Sequence, residues 1–334
     1  MVSVGQTPMM NLEQCLFVLI MLLFTALGCL RNVDLAAVLL LGLGLRFTVA
    51  ALEHVGIVAL PWSGADSETF YSYAQFYASV PLSQHISEFD PRFAWVYSWV
   101  LGFFIRVFGS EYFFLRSLNI LIYSVIGLLI YRSLTVSGSS KKNATLGVLI
   151  YTLFPITIVL NSVLLREALV TLGVSISLYG FCLFYAKMGV RGLFYIFLGA
   201  MLSALFHGAF VLLGIAYMAI LVFVPVRSPA QARVAQRHGA AHRLITLFAA
   251  LCVLGVLGGM SDHFSKVGGV TEVDQVLQER LDRVSTRGSR GESGYAGWLT
   301  DNAANPAVQL VRFAYFVAAP FPWDYRNGSD IAAG

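Results

Sequence analysis

Long apolar runs separated by short polar links set the pattern of this chain. They fall at about 15–30, 35–60, 93–108, 114–134, 144–163, 168–186, 193–225, 244–260 and 308–323. Most approach the roughly 20 residues a helix needs to cross a hydrocarbon core. The pattern predicts an all-α, polytopic transmembrane helical bundle. The run at 193–225 is too long for one span, and Ser203, His207 and Gly208 interrupt its middle, so it reads as two short helices meeting there. FAWVYSWVLGFFIRVFG offers too few apolar positions before Arg106 to span and is rich in Trp and Tyr. It reads as a helix lying at the interface.

The N-terminal MVSVGQTPMMNLEQ has no Lys or Arg ahead of its apolar run and no small-residue cleavage site. The first run is therefore expected to be a retained helix rather than a cleaved signal peptide. No fixed-period repeat or low-complexity run is present.

Composition narrows the class. Of 334 residues, 57% are apolar and only 12% charged, against about 25% charged in soluble domains. An ordinary cytosolic globule is excluded, and the connections are too short for a separate soluble domain, so residues 1–334 are read as one membrane domain. The formal charge of +4 indicates no nucleic-acid partner. Cys15, Cys29, Cys182 and Cys252 all lie in apolar runs, with no disulfide or metal spacing, and are read as small hydrophobes.

Where the charges fall sets the orientation. Arg31; Arg132, Lys141 and Lys142; Lys187 and Arg191; and Arg227, Arg233, Arg237 and Arg243 belong on one side, expected to be cytoplasmic. Residues 61–113 then form a first external loop containing the interfacial helix. Residues 261–307 form a second external loop. The link at Arg166-Glu167 and the turn at His207 face the same outer side.

Several side chains on that outer side carry possible chemistry. In WSGADSETFYSYAQFY, Asp66 and Glu68 follow a spanning helix and precede aromatics spaced as on an amphipathic helix. A carboxylate there can take a proton from a sugar hydroxyl, or join a second acid around a divalent cation; it can equally cap the helix. Glu88, Asp90 and Arg92 extend that polar region or close the loop before the interfacial helix, with Pro91 in its first turn.

Arg166-Glu167 is a charged pair between two apolar runs. Ionisable groups at that depth line cavities, pair with each other or mark a substrate path. Arg166 suits phosphate oxygens, and Glu167 an acid, base or metal ligand; the alternative is a helix-end ion pair reaching the headgroups. His207 is a structural hydrogen-bonding group or, at the tip of an interrupted helix, a donor to pyrophosphate or a proton relay. Arg280 and Arg283 alternate with Glu279 and Asp282, as on a solvated helix. Arg287 and Arg290 lie in Gly/Ser-rich sequence, either solvated or able to close on an anion. PFPW at Pro320–Trp323 reads as an interfacial anchor.

In this order the elements resemble membrane glycosyltransferases of the GT-C type and polysaccharide polymerases of the Wzy and EpsG kind. GADSETFYSYA is similar to the acidic-aromatic opening of the first external loop in GT-C enzymes, which implies Asp66 as catalytic base. NSVLLREALVTLGVSISLY followed by AMLSALFHGAFVLLGIAYM resembles the Arg-Glu/Gln helix start and Phe-His helix pair of EpsG-like polymerases, which places Arg166, Glu167 and His207 in the site. The resemblance covers residues 60–225. Two apolar segments rather than one precede the acidic loop, and no closing element follows PFPWDYRNGSD, so a longer chain is expected.

The resemblance implies an integral-membrane glycosyltransferase or repeat-unit polymerase in cell-surface polysaccharide assembly, in a bacterial inner or plasma membrane. Its partners would be a polyprenyl-(pyro)phosphate-linked sugar donor, a glycan acceptor and membrane lipid; a divalent cation is left open. Asp66 and Glu167 are then the catalytic candidates. Glu68, Arg166, His207, Arg287 and Arg290 are the substrate-binding candidates. A transporter or flippase of a lipid-linked glycan would use the same charges without making a bond, and a non-catalytic membrane assembly subunit would use none of them.

Overall fold

The computed structural model describes residues 11–28, 32–58, 60, 65–89, 95–187 and 190–210, with 213, 214, 216 and 217. The runs at 244–260 and 308–323, the loop 261–307 and its arginines, and Asp90 and Arg92 lie outside the described residues. Every regular element described is helical: α1 (Leu12–Gly28), α2 (Val33–His54), α3 (Ala65–Ser79), α4 (Leu82–Ser87), α5 (Val96–Phe108), α6 (Tyr112–Val136), α7 (Lys141–Leu153), α8 (Pro155–Ser162), α9 (Glu167–Lys187) and α10 (Val190–Phe206). Three of these, α2, α6 and α9, are long and apolar enough to cross a membrane, and α7 with α8 makes a fourth if the bent pair is one span.

Local chemistry explains several helix ends. Asn11 and Gln14 form a reciprocal capping box, each side chain accepting from the other's backbone N–H at 2.9 Å. Asn32 caps α2 through the N–H of Leu35, and Ser140 caps α7 through the N–H of Asn143. The run at 35–60 does not stay helical throughout. Helix α2 ends at His54, and Gly56 follows at φ +77°, a left-handed conformation that costs glycine no steric strain.

The run at 144–163 is also not one straight helix, because α7 and α8 meet at 63° between Leu153 and Pro155. Pro155 has no N–H for the Tyr151 carbonyl. Thr157 Oγ1 donates to that carbonyl instead, at 2.8 Å, and Arg46 Nη1 donates to the next one, Thr152, at 3.2 Å. The run at 193–225 breaks where the sequence predicts. Helix α10 ends at Phe206, and a single tight turn, Gly208–Phe210, follows His207.

Side-chain ties fix the directions of α1, α2, α6 and α8 relative to one another. Gln14, at the start of α1, donates to Phe108 O at 2.8 Å and also meets Glu111, beside the start of α6. Glu53, in the last turn of α2, pairs with Arg116 in the second turn of α6. Arg116 Nε donates to Ser162 O, at the end of α8, at 2.7 Å. At the far end, Asn32 at the start of α2 donates to Tyr131 Oη near the end of α6, at 2.8 Å.

The helices therefore alternate. The ends of α2, α8 and α10 and the starts of α1, α6 and α9 share one end of the bundle. Arg132, Lys141, Lys142 and Arg191 are exposed toward the other. Because α2 ends and α6 begins at the same end, α3, α4 and α5 make no net crossing. Helix α5 has 13 residues and rises about 20 Å, short of a hydrocarbon core. It buries Val96, Tyr97, Leu101 and Ile105 in an apolar core shared with Phe70 and Ala74 of α3, Phe114 of α6 and Val163–Leu165.

Candidate functional site

The polar end of the bundle is built around the link from α8 to α9. Val163, Leu164 and Leu165 are almost fully buried although Val163 is extended. Non-helical backbone at that depth survives only if its polar groups are satisfied inside the protein. One face of α6 supplies the donors. Arg116 takes the carbonyl of Ser162. Asn119, three residues on and on the same face, donates through Nδ2 to Val163 O at 2.9 Å and Leu165 O at 2.8 Å. Tyr97 from α5 donates to Asn119 Oδ1 at 3.0 Å, which orients the amide. Burial pushes the Tyr97 phenol well up, with the Glu167 charge adding to it, so it remains a donor.

The link delivers Arg166 and Glu167 to a shared position. Arg166 Nε lies 3.9 Å from Glu167 Oε1, with the side chains 23% and 34% exposed. The guanidinium carbon of Arg166 also lies 5.7 Å from the centre of the Phe70 ring on α3, within cation–π range. Glu167 is the first residue of α9, where the helix dipole favours an anion, and its Oε2 is buried with no hydrogen-bond partner. His207, half-buried at the end of α10, has an equally unpartnered Nδ1. Burial lowers its pKa below the ordinary value, Arg166 lowers it further, and Glu167 opposes both. Near neutral pH the imidazole is therefore uncharged, able to donate from one nitrogen and accept at the other.

The structure thus brings Arg166 and Glu167, from the link between α8 and α9, together with His207 at the end of α10. Asp66 and Glu68 are exposed on the first turn of α3 at the same end of the bundle. The tie is Ser67, whose hydroxyl bonds the Tyr112 hydroxyl at the start of α6. Asp66 takes part in no ion pair or hydrogen bond among the described residues. Glu68 faces Tyr112 electrostatically, alongside Arg116 and Glu53. Glu88 accepts from Gln84 one turn back at 2.8 Å. Arg287 and Arg290 lie outside the described residues. No group of three His, Cys, Asp or Glu side chains placed to hold a metal ion occurs among the described residues.

Two arginines missed by the sequence reading are among the most buried side chains of the protein. Arg116 is 1% exposed and paired with Glu53. Arg46 is fully buried, and no carboxylate pairs with it among the described residues. Its Nη1 donates to Gly42 O and Thr152 O and its Nη2 to Thr157 Oγ1, and the guanidinium lies 3.7 Å from the Tyr123 ring centre. The signal was available, since a charge inside a run expected to span a membrane demands a partner or a role.

The chain matches no family model, no curated protein and no solved structure.

Proposed function

We propose that this protein is an integral-membrane glycosyltransferase or repeat-unit polymerase of GT-C-like architecture, taking its sugar from a polyprenyl-(pyro)phosphate-linked donor in a bacterial plasma membrane. The observation that carries the reading is the meeting of Arg166, Glu167 and His207 at the same bundle end as Asp66. A lipid-linked donor presents its phosphate at headgroup depth. A transferase must place a cation and a carboxylate there.

In the proposed reaction, Glu167 or Asp66 takes the proton of an acceptor hydroxyl. The freed oxygen bonds to the anomeric carbon as the bond from that carbon to the phosphate oxygen breaks. The electron pair leaves with the polyprenyl phosphate or pyrophosphate, whose charge Arg166 stabilises through paired N–H donors. Neutral His207 donates to the same oxygens without adding charge.

A transporter of lipid-linked glycan finds separate support in the 63° break between α7 and α8 and in buried Arg46, since interrupted helices line substrate paths. The two readings part on bond making. Membranes containing Asp66→Asn or Glu167→Gln, at normal levels of inserted protein, are assayed for transfer from a radiolabelled polyprenyl-linked sugar. Loss of a working general base is expected to lower the rate about 10²-fold or more. Full transfer by both variants would refute the assigned roles.

A further inference from the structure

Helical spacing places Asp66, Phe70 and Tyr73 on one flank of α3, four and three residues apart. Phe70 is buried, and its ring meets Arg166. Trp95, just ahead of α5, crosses the Phe70 ring edge-on at 5.8 Å. It then lies parallel to Tyr73, ring centres 4.3 Å apart and planes 19° apart. Tyr73 remains 40% exposed. From Asp66 to Tyr73 the helix rises about 10 Å, so a carboxylate, a cation-bearing ring and an open aromatic stack follow one another along a single line.

We infer that the Tyr73–Trp95 stack is a carbohydrate subsite, on which a pyranose ring of the glycan lies while its neighbouring sugar reaches the Asp66 and Arg166 end of α3. This rests on the glycosyl-transfer reading and specifies where the sugar chain runs. The chemistry follows from the ring. One face of a pyranose presents C–H bonds with slight positive charge, which pack against the negative face of an aromatic quadrupole. The hydroxyls project sideways toward polar groups. A stacked pair braces one ring with the other while Tyr73 stays exposed, an arrangement suited to a flat ligand. Continuity with Asp66 and Arg166 favours a sugar over an acyl chain, which would have no use for those charges.

The test uses the full chain in nanodiscs, with malto-, cello- and chito-hexaose as probes and saturation-transfer difference NMR as readout. At least one hexaose is expected to receive saturation at its ring C–H protons. Its affinity is expected to fall about tenfold in Tyr73→Ala, the equivalent of one good aromatic contact, and to be kept in Tyr73→Phe, which retains the ring face. Tyr73→Phe keeps the stack on Trp95, and Trp95→Leu provides an independent second variant. Binding of no hexaose, or unchanged binding in both Tyr73→Ala and Trp95→Leu, overturns the subsite. Quenching of tryptophan emission by brominated acyl chains that disappears in Trp95→Leu and that no hexaose relieves makes the pair a lipid anchor and also overturns it. Binding needs no lipid-linked donor, so a protein that binds but transfers nothing loses the transferase reading and keeps the platform.

Discussion

His207 has a microenvironment that can be taken apart one charge at a time. Burial and Arg166 hold its proton affinity down while Glu167 raises it. In Glu167→Gln the midpoint should fall further, and in Arg166→Gln it should rise toward the ordinary histidine value of about 6.5. The pH dependence of diethyl pyrocarbonate modification, resolved to the His207 peptide by mass spectrometry, measures both. Equal midpoints in the native protein and both variants would separate His207 from the pair. The sign for stability follows from linkage. A histidine with a depressed folded pKa binds fewer protons folded than unfolded, so its contribution is lost as pH falls below about 6.5.

Arg46 shows a different residue-scale solution. A guanidinium with no carboxylate partner among the described residues is retained because both of its Nη atoms donate to carbonyls or a hydroxyl around a broken helix. Its plane also meets an aromatic face. It is the polar filling of the α7–α8 break.

At the scale of elements, α9 and α10 approach closely because small residues face each other. A Cβ on Gly199 would lie 2.3 Å from Gly173 O and 2.4 Å from Ser177 N, and one on Gly180 would lie 2.5 Å from Ile196 N. These neighbours are backbone atoms and cannot yield. Ser177 and Ser203 add hydrogen bonds across the seam, to Ile196 O at 2.9 Å and Val170 O at 3.1 Å. Such contacts are a main source of helix association where lipid removes the hydrophobic drive. Gly199→Val is expected to destabilise the fold by about 3 kcal/mol, at the upper end of ordinary overpacking. Gly44→Ala, on an exposed part of α2 with nothing within 4 Å, should stabilise it by about 0.5 kcal/mol. Thermal unfolding in detergent, followed by a thiol-reactive dye, compares the two. A Gly199→Val protein as stable as the parent would show that the seam opens without cost. The seam matters to the candidate site because α9 begins with Glu167 and α10 ends beside His207.

Across the whole molecule, alternation of the helices sorts the charges. Exposed Lys141, Lys142, Arg132 and Arg191 stand at one end, and Asp66, Arg166, Glu167 and His207 at the other. If the bundle spans a membrane, a membrane-impermeant thiol reagent applied to intact cells will label cysteines placed at 66, 166 and 207 in a cysteine-free background. Cysteines at 139 and 142 will react only after permeabilisation. Labelling of 66 and 166 from opposite sides would dismantle the proposed centre.

Much of this arrangement was legible along the chain, because span length, positive turns and the polar break at His207 are local or summed properties of sequence. The all-helical class, the retreat of 93–108 from crossing, and the shared end of Arg166, Glu167 and His207 follow from apolar run lengths and from where Lys and Arg fall. Pro155 marks the break in 144–163, yet a run that stays apolar on both sides of a proline reads as continuous. Only the tertiary structure decided how that break is satisfied, which face of α6 clamps residues 162–165, and that Phe70, Trp95 and Tyr73 line up behind Arg166. These depend on pairs such as Arg46 with Thr152, Arg116 with Glu53 and Asn119 with Leu165. The partners stand 106, 63 and 46 positions apart, and no local periodicity connects them. A buried donor must find an acceptor somewhere, but which acceptor it meets is settled by packing.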